Sequence, residues 1–373
     1  MKTFLLATTT LVGVGILTAA GAHAAPNVRI GGFMNFQTGW ASQDRDGFSA
    51  SPGVPGVANE RGFGFITDTE LTIRVSDKLD NGLAWSLKIE LEADADDINA
   101  ENSDEVTLTL SGSWGKLELG NEDGAADQMW ITANSATGRA TNNDWRRWSL
   151  WRETGAGAST ASFFQTDKAH RDSSDATKIS YFTPRVAGLQ LGASYSASRN
   201  DNGRSRAADT GTAEANFWEF GATYSTKFDD VGLDLSATHS RADIEDGTLE
   251  DTRAYGLGAM LSFGAFSVSG NYATDGDSRR ALNQGNDKSD SWSLGVGYAQ
   301  GPWQLGATYQ EMRVGNGNAG GKNKLDVINL GVDYALGAGL NLYSQYAYVE
   351  RDDVNAALSN DAHVLIVGTQ VRF

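Results

Sequence analysis

Hydrophobic and polar residues alternate with a period of two along most of this chain. The clearest run interleaves Leu83, Trp85, Leu87, Ile89 and Leu91 with Ser86, Lys88, Glu90 and Glu92. Where the pattern begins, Val28, Ile30, Met34, Phe36 and Trp40 share one face, with Arg29, Phe33, Asn35 and Gln37 on the other. Phe63–Leu79 repeats it, setting Phe65, Leu71, Ile73 and Val75 against Asp68, Glu70 and Arg74. A two-residue period held this long belongs to strands, because a helical stripe repeats every three or four residues. Shorter runs follow at Val106–Leu110 and Leu117–Leu119. After them come Lys178–Thr183, Leu189–Ala197, Phe217–Phe228, Gly232–Arg241, Thr252–Phe263, Phe266–Thr274, Ser291–Ala299, Trp303–Arg313, Leu325–Leu336, Leu340–Val349 and Ala362–Phe373. Sixteen strands are predicted.

The connections alternate in length. Asp80-Asn81-Gly82, Pro184–Gly188, Asp229–Gly232, Gly264-Ala265, Gln300–Pro302 and Gly337–Gly339 read as tight turns. Gln43–Gly62, Ala93–Ser103, Ser198–Ala213, Ala242–Asp251, Asp275–Asp290, Val314–Lys324 and Arg351–Asp361 are polar loops. Turns on one rim and loops on the other, with an even strand count, predict an all-β fold: a transmembrane antiparallel up-and-down β-barrel. If the first strand runs outward, Trp40, Tyr195, Trp218, Tyr272, Trp292, Tyr309 and Tyr346 fall near the loop rim. Trp85, Tyr224, Tyr298, Trp303, Tyr334 and Phe373 then fall near the turn rim. Two aromatic belts are what amphipathic rings at two lipid–water interfaces produce.

One stretch breaks the rhythm. Residues 120–176 are far longer than an ordinary connection. They hold Trp130, Trp145, Trp148 and Trp151 among Arg139, Arg146, Arg147 and Arg152, with Asp123, Asp127, Asp144 and Glu153 interspersed. So much aromatic surface needs something to pack against. The expectation is a constriction loop folded into the lumen, its charges narrowing a water-filled pore. Trp145, Trp148 and Trp151 recur every three residues. They read either as an aromatic track for sugar rings or, preferred here, as anchors holding the loop to the wall.

The N-terminus sets the compartment. Lys2, the apolar run Phe4–Leu17 and the small-x-small site Ala22-His23-Ala24 predict a cleaved secretory signal peptide over 1–24, leaving 25–373 as one barrel domain. Composition agrees. Cysteine is absent, Gly counts 44 against 5 Pro, and 47 acidic against 30 basic residues give a net charge of −17. That acidity argues against nucleic acid as a partner. Mean hydropathy of −0.36 excludes a helical membrane protein but not a barrel, which shows lipid only alternate residues.

Inward-facing charges on the early strands, Arg29, Asp68, Glu70, Arg74, Lys88, Glu90, Glu92, Glu105, Lys116 and Glu118, are candidates for the pore wall. Arg29, Glu70, Arg74, Lys88, Glu90 and Lys116 carry the main expectation. Opposed acids and bases in a narrow passage create a field that passes small polar solutes. Acids outnumber bases on the first five strands, which predicts a weak cation preference. Outward positions of strands three to five and sixteen are mostly Leu, Ile and Val, and every tyrosine lies at or beyond Tyr181. A wall without Tyr belts predicts that strands one to five and sixteen form a homo-oligomer interface.

These features together resemble the general porins of Gram-negative outer membranes, over the whole mature length. The chain shares with them the export signal, sixteen alternating strands, one outsized loop after the fifth and a last segment, Ala362–Phe373, ending in an aromatic. The resemblance implies a homotrimer, a third loop inside the barrel, and Phe373 as a signal read by the outer-membrane assembly machinery. The Pro-Glu-Phe-Gly-like loop signature of enterobacterial members is absent, and four tryptophans stand in its place. The expected function is passive diffusion of small hydrophilic solutes and ions through the outer membrane, among lipid and lipopolysaccharide. A substrate-specific sugar channel using the Trp-rich loop is the alternative.

Enzymatic chemistry finds little support. His170, His239 and His363 are scattered, and no Gly-x-Ser-x-Gly, His-Glu-x-x-His or phosphate loop occurs. No cofactor is expected. The acidic loops at Asp94–Asp97 and Asp44–Asp46 are candidates for Ca2+, though without EF-hand spacing.

Overall fold

Alternating side chains along a strand leave one apolar and one polar face, and closing the sheet separates oil from water. A computed structural model describes residues 25–44, 61–93, 103–149, 171–199, 214–245, 247–282, 288–315, 321–354 and 359–373. The expected signal peptide, Asp94–Asp97 and Asp46 lie outside these residues.

Sixteen strands form in the expected places: β1 (Asn27–Gln43), β2 (Phe63–Lys78), β3 (Ala84–Glu92), β4 (Ser103–Gly112), β5 (Gly115–Asn121), β6 (Thr177–Phe182), β7 (Leu189–Ser198), β8 (Glu214–Phe228), β9 (Val231–Ile244), β10 (Thr252–Phe263), β11 (Phe266–Gly276), β12 (Ser289–Gln300), β13 (Trp303–Gly315), β14 (Lys322–Gly337), β15 (Leu340–Asp352) and β16 (Asn360–Arg372). Each pairs antiparallel with its neighbours in sequence. β1 closes on β16 from Phe33 opposite Arg372 to Gln43 opposite Ala362. Closure removes both sheet edges, so no backbone row is left unpaired in lipid.

Register follows the sequence pattern. On β10, Tyr255, Leu257 and Ala259 point outward and Ala254, Gly256 and Gly258 inward. The belts fall in register. Tyr195 lies opposite Trp218 and Tyr272 opposite Trp292 near the loop rim. Phe266 lies opposite Tyr298, and Trp303 opposite Tyr334, near the turn rim. Their rings touch at centroid separations of 4.5 to 4.9 Å for Tyr195–Trp218, Phe266–Tyr298 and Trp303–Tyr334. The hairpin turns at Gly264 and Gly301 place those glycines at φ of 57° and 58°, a conformation that costs a side chain strain.

Two features depart from the simplest alternation. β5 has 7 residues and β6 has 6, against 17 in β1 and 16 in β14, so the wall is low on one side. Second, part of the inner wall is apolar. Met312, Val314, Leu325, Val327, Val349, Ala362 and Val364 face inward on β13–β16 and form a buried cluster with Trp145. Strands apolar on both faces lose the contrast that marks an inward side in sequence.

Candidate functional site

After β5 the chain turns inside the barrel and runs along its inner wall. It makes two short helices, α1 (Ala125–Gln128) and α2 (Asn134–Thr137), then 3-10 turns at Gly138–Thr141 and Asp144–Arg147. The wall holds this loop chiefly by its backbone. Ser194 Oγ accepts from Ala125 N at 2.7 Å, Ser236 Oγ from Ile131 N at 3.2 Å and Ser293 Oγ from Ala133 N at 3.2 Å. Ser269 Oγ accepts from Ala136 N at 3.0 Å and donates to Ala133 O at 2.9 Å. Farther on, Asn329 Nδ2 donates to Asn142 O at 2.9 Å and Gln345 Nε2 to Arg139 O at 3.2 Å. The attachment spans the inner wall from β7 to β15.

Close approach requires a wall without side chains. A Cβ on Gly221 would lie 2.7 Å from the Ala125 carbonyl oxygen. On Gly297 and Gly331 it would overlap the carbonyl oxygens of Ala136 and Ala140 outright. Glu219, fully buried on β8, clamps both legs of the loop. Its carboxylate accepts from Ala126 N at 3.0 Å on the way in, and from Ser173 N at 2.7 Å and Ser173 Oγ at 2.5 Å on the way out. Sequence reasoning missed Glu219 and the Gly/Ser track. The signal was present as small residues at every second position, such as Ser291, Ser293, Gly295 and Gly297 on β12.

The tryptophans face the wall. Trp145 is wholly buried in the apolar inner cluster, with its indole N–H donating to Asn143 Oδ1 at 3.3 Å. Trp148 lies against Gly39 and Gly64, half-buried, and donates to Gln37 Oε1 at 3.2 Å. A 3-10 turn repeats every three residues, which brings these two rings to neighbouring parts of the wall. The Trp130 ring packs over Gly256. Trp151, Arg152 and Glu153 lie outside the described residues.

The loop charges divide between the wall and the open lumen. Asp144 accepts from Gln37 Nε2 and from Asn142 Nδ2, both at 2.6 Å, and burial pushes its carboxyl above the usual range. Arg139 lies 3.5 Å from Asp333 and over the Tyr343 ring. Arg146 Nε donates to Asn143 O at 3.3 Å. Arg147, 45% exposed, reaches Asp68 on β2 at 3.3 Å. Asp127 lies in the first turn of α1, and Asp123 precedes it.

Across from most of this attachment stands the inner wall of β2–β5, which the loop meets at Gly64 and Asp68 on β2 and, through Gln128, at Lys116 and Glu118 on β5. Lys88 is its hub, paired with Glu105, with Glu122 at 2.6 Å and with Glu90 at 3.6 Å. Arg74, 59% exposed, lies 3.8 Å from Glu90, and Arg29 is directly opposite Arg74 on the neighbouring strand. Lys116 pairs with Glu118 at 2.7 Å. Two carboxylate groups, Glu70–Glu92–Asp104 and Glu105–Asp123–Asp175, bring oxygens within 4.8 Å of one another and are the described residues best arranged to hold a cation.

A closed cylinder with an apolar exterior and a charge-lined, loop-narrowed interior is built to let water-soluble cargo through a membrane. The model of one family, described as Gram-negative porin, matches residues 7–354. The chain belongs to that family. Its sixteen strands, loop-narrowed lumen and aromatic belts make it an outer-membrane channel for passive diffusion of small hydrophilic solutes and ions, in a fold and family of channels rather than enzymes. Among solved structures, the porin is similar to an anion-selective porin from Comamonas acidovorans, with TM-score 0.62 and 17% identity, covering 93% of this chain and 100% of that one. A loop-deletion mutant of OmpT, an outer membrane protein of Vibrio cholerae, matches with TM-score 0.57 and 12% identity, covering 94% and 100%. Among curated sequences, an uncharacterized protein of Rickettsia conorii is 24% identical over 398 residues, 88% of this porin and 87% of the relative.

Proposed function

We propose that this porin is a general diffusion pore with a weak preference for cations, assembled as a homotrimer after export by a cleaved peptide over 1–24. The selectivity reading rests on one observation. On the wall of β2–β5, across from most of the loop, six inward carboxylates (Asp68, Glu70, Glu90, Glu92, Glu105, Glu118) stand against four bases (Arg74, Lys78, Lys88, Lys116). Lys88 alone serves three carboxylates. A surplus of fixed negative charge concentrates cations in a narrow passage. Arg74 and Arg147, both with exposed guanidinium groups, add a transverse field that favours dipolar solutes. In this reading Asp123, Asp127, Arg146 and Arg147 line the loop side of the constriction, and Trp130, Trp145 and Trp148 attach the loop rather than touch solute.

The trimer reading rests on the low wall. At about 3.3 Å per residue, β5 and β6 extend only roughly 20 Å before tilt, short of the ~25 Å apolar band of an outer-membrane barrel. Their aliphatic neighbours Leu87, Ile89, Leu91, Leu117 and Leu119 are better covered by another copy than by lipid. Phe373, whose backbone exchanges two hydrogen bonds with Gly32 at 3.2 Å, is 69% exposed as a residue and accessible to the assembly machinery. Reversal potentials across a planar bilayer in a tenfold KCl gradient test the selectivity, and a chloride preference would reject it. Native mass spectrometry in mild detergent tests the trimer.

A further inference from the structure

We propose that the lumen is an ionic rectifier. Its fixed charges are segregated along the axis, acidic on the loop side and basic on the turn side, so cations pass inward and anions outward more readily than the reverse. The order is read strand by strand on the inner wall of β1–β5 and β16. On β2, Lys78 and Arg74 occupy the turn-side positions and Glu70 and Asp68 the loop-side ones. On β3, Lys88 lies turn-ward of Glu90 and Glu92, and on β5 Lys116 lies turn-ward of Glu118. β4 carries its carboxylates, Asp104 and Glu105, at its loop end and has no base. β1 and β16 contribute Arg29 and Arg372 near their turn ends. Each strand of this wall that bears both signs has its base toward the turns.

The two zones meet at Lys88, whose carboxylate partners and the Arg74–Glu90 contact at 3.8 Å form a seam of paired charge. Away from the seam, like charges stand together. Glu70, Glu92 and Asp104 bring carboxylate oxygens within 4.8 Å of one another on the loop side. Arg29 lies directly opposite Arg74, and Arg74 directly opposite Lys88. Groups so placed repel, and each zone gathers mobile ions of the other sign. Glu70 and Arg74 are about 13 Å apart along β2, of which about 10 Å lies along the axis at a strand tilt of about 40°. The other described lumen charges leave this order in place. On the loop side Arg147 is matched to Asp68, and Arg171, Arg199 and Arg279 are held by Glu214 and Asp172. On the turn side Asp333 lies 3.5 Å from Arg139, and Asp234 on β9 is offset by Lys227 on β8. With the loop side positive, cations arrive from the acidic zone and anions from the basic zone, and both accumulate at the seam. Opposite polarity draws both away and depletes it. Long loops lie on the external rim of such barrels, so the favoured polarity carries cations inward. The effect depends on the axial order of the charges and not on their sum, and so stands apart from the cation preference.

The test records current–voltage curves from single channels of the full barrel in symmetric KCl, read from the initial current before any voltage-driven closure. At about 100 mV in 0.1 M KCl one polarity should pass at least about 1.5 times the current of the other, and the ratio should fall to about 1 in 1 M KCl, as the Debye length shrinks from about 10 Å to about 3 Å. The chain has no cysteine, so Ala265→Cys in a hairpin turn marks the turn side. A polyethylene-glycol maleimide too large to pass, added to one chamber, then identifies the orientation of each channel, and the larger current should flow with the loop side positive. Arg29→Glu combined with Arg74→Glu should bring the ratio in 0.1 M KCl to about 1, whereas Arg29→Lys with Arg74→Lys should keep it. Should the doubly reversed variant fail to insert, Arg29→Ser decides, and it should lower the ratio. A symmetric wild-type curve in 0.1 M KCl, a ratio unchanged in 1 M KCl, the opposite polarity, or undiminished asymmetry in the charge-reversed or Arg29→Ser barrel would overturn the proposal.

Discussion

Replacing Gly331 with alanine tests whether the loop is held by contact with a bare wall. The added methyl would overlap the Ala140 carbonyl oxygen, and β14 cannot retreat because it is hydrogen-bonded on both sides. The loop must therefore withdraw by more than about an ångström to restore ordinary contact. Two wall bonds flank the displaced residue: Gln345 to Arg139 O at 3.2 Å and Asn329 to Asn142 O at 2.9 Å. Losing both costs about 2 kcal/mol. The overpacking adds about 1–3 kcal/mol. Docking of this segment then weakens by roughly 3–5 kcal/mol in all, a factor of at least about a hundred in the docked population. Barrel closure, which depends on strand pairing, is untouched. Single-channel recordings should show lower mean conductance with increased open-channel noise, and limited trypsin digestion should cut at Arg139, Arg146 or Arg147. Gly337→Ala, on the same strand with nothing within 4 Å of its added methyl, should behave as wild type. Wild-type conductance, noise and trypsin resistance in Gly331→Ala would refute the argument.

Glu219→Ala removes the clamp on both legs of the loop, leaving three donors without their acceptor. It should cost about 3–5 kcal/mol and raise trypsin sensitivity of the loop without dissolving the barrel, as checked by heat-modifiable gel migration. Trp145→Ala opens a cavity in the inner apolar cluster and should lose about 3–5 kcal/mol, seen as a lower midpoint in thermal unfolding followed by circular dichroism. Burial pushes the carboxyls of Glu122 and Asp144 above the usual range. Each therefore takes up its proton at a higher pH in the docked loop than in a free chain, so docking gains stability as pH falls through the raised value. The constriction loses negative charge over the same interval. Cation preference should begin to fall at a pH above the ordinary carboxylate range, and less so in Glu122→Gln; a reversal potential constant down to pH 4.5 would contradict this.

Most of the barrel was legible because its cause is local. Lipid on one side and water on the other impose a period of two that Leu83–Glu92 displays without reference to any other strand. Legibility failed where a strand's inner face meets protein instead of water. Val327 and Val349 face inward yet are apolar because Trp145 and its neighbours cover them, so the polar–apolar contrast vanishes. The loop was legible as a loop, through its length and its tryptophans. Its attachment was not. A buried glutamate such as Glu219 looks in sequence like any lumen charge, and its role exists only when Ala126 and Ser173, separated by forty-odd residues of loop, arrive together.

How the wall reads the loop also bears on how such pores vary. Ser194, Glu219, Ser236, Ser269, Ser293, Asn329 and Gln345 all bind main-chain atoms, which every residue carries. Glycines at Gly221, Gly297 and Gly331 admit carbonyl oxygens rather than particular side chains. A dock that recognises backbone depends little on which side chains the loop carries, so the attachment tolerates sequence change along the loop. The same separation holds in the barrel, where outward residues answer to lipid and inward ones to cargo. Fold and selectivity are then set by different atoms of the same residues. On that account a structure can keep a TM-score of 0.62 at 17% identity, because what the fold demands is mostly alternation, small residues on the inner track, and a peptide backbone to bind.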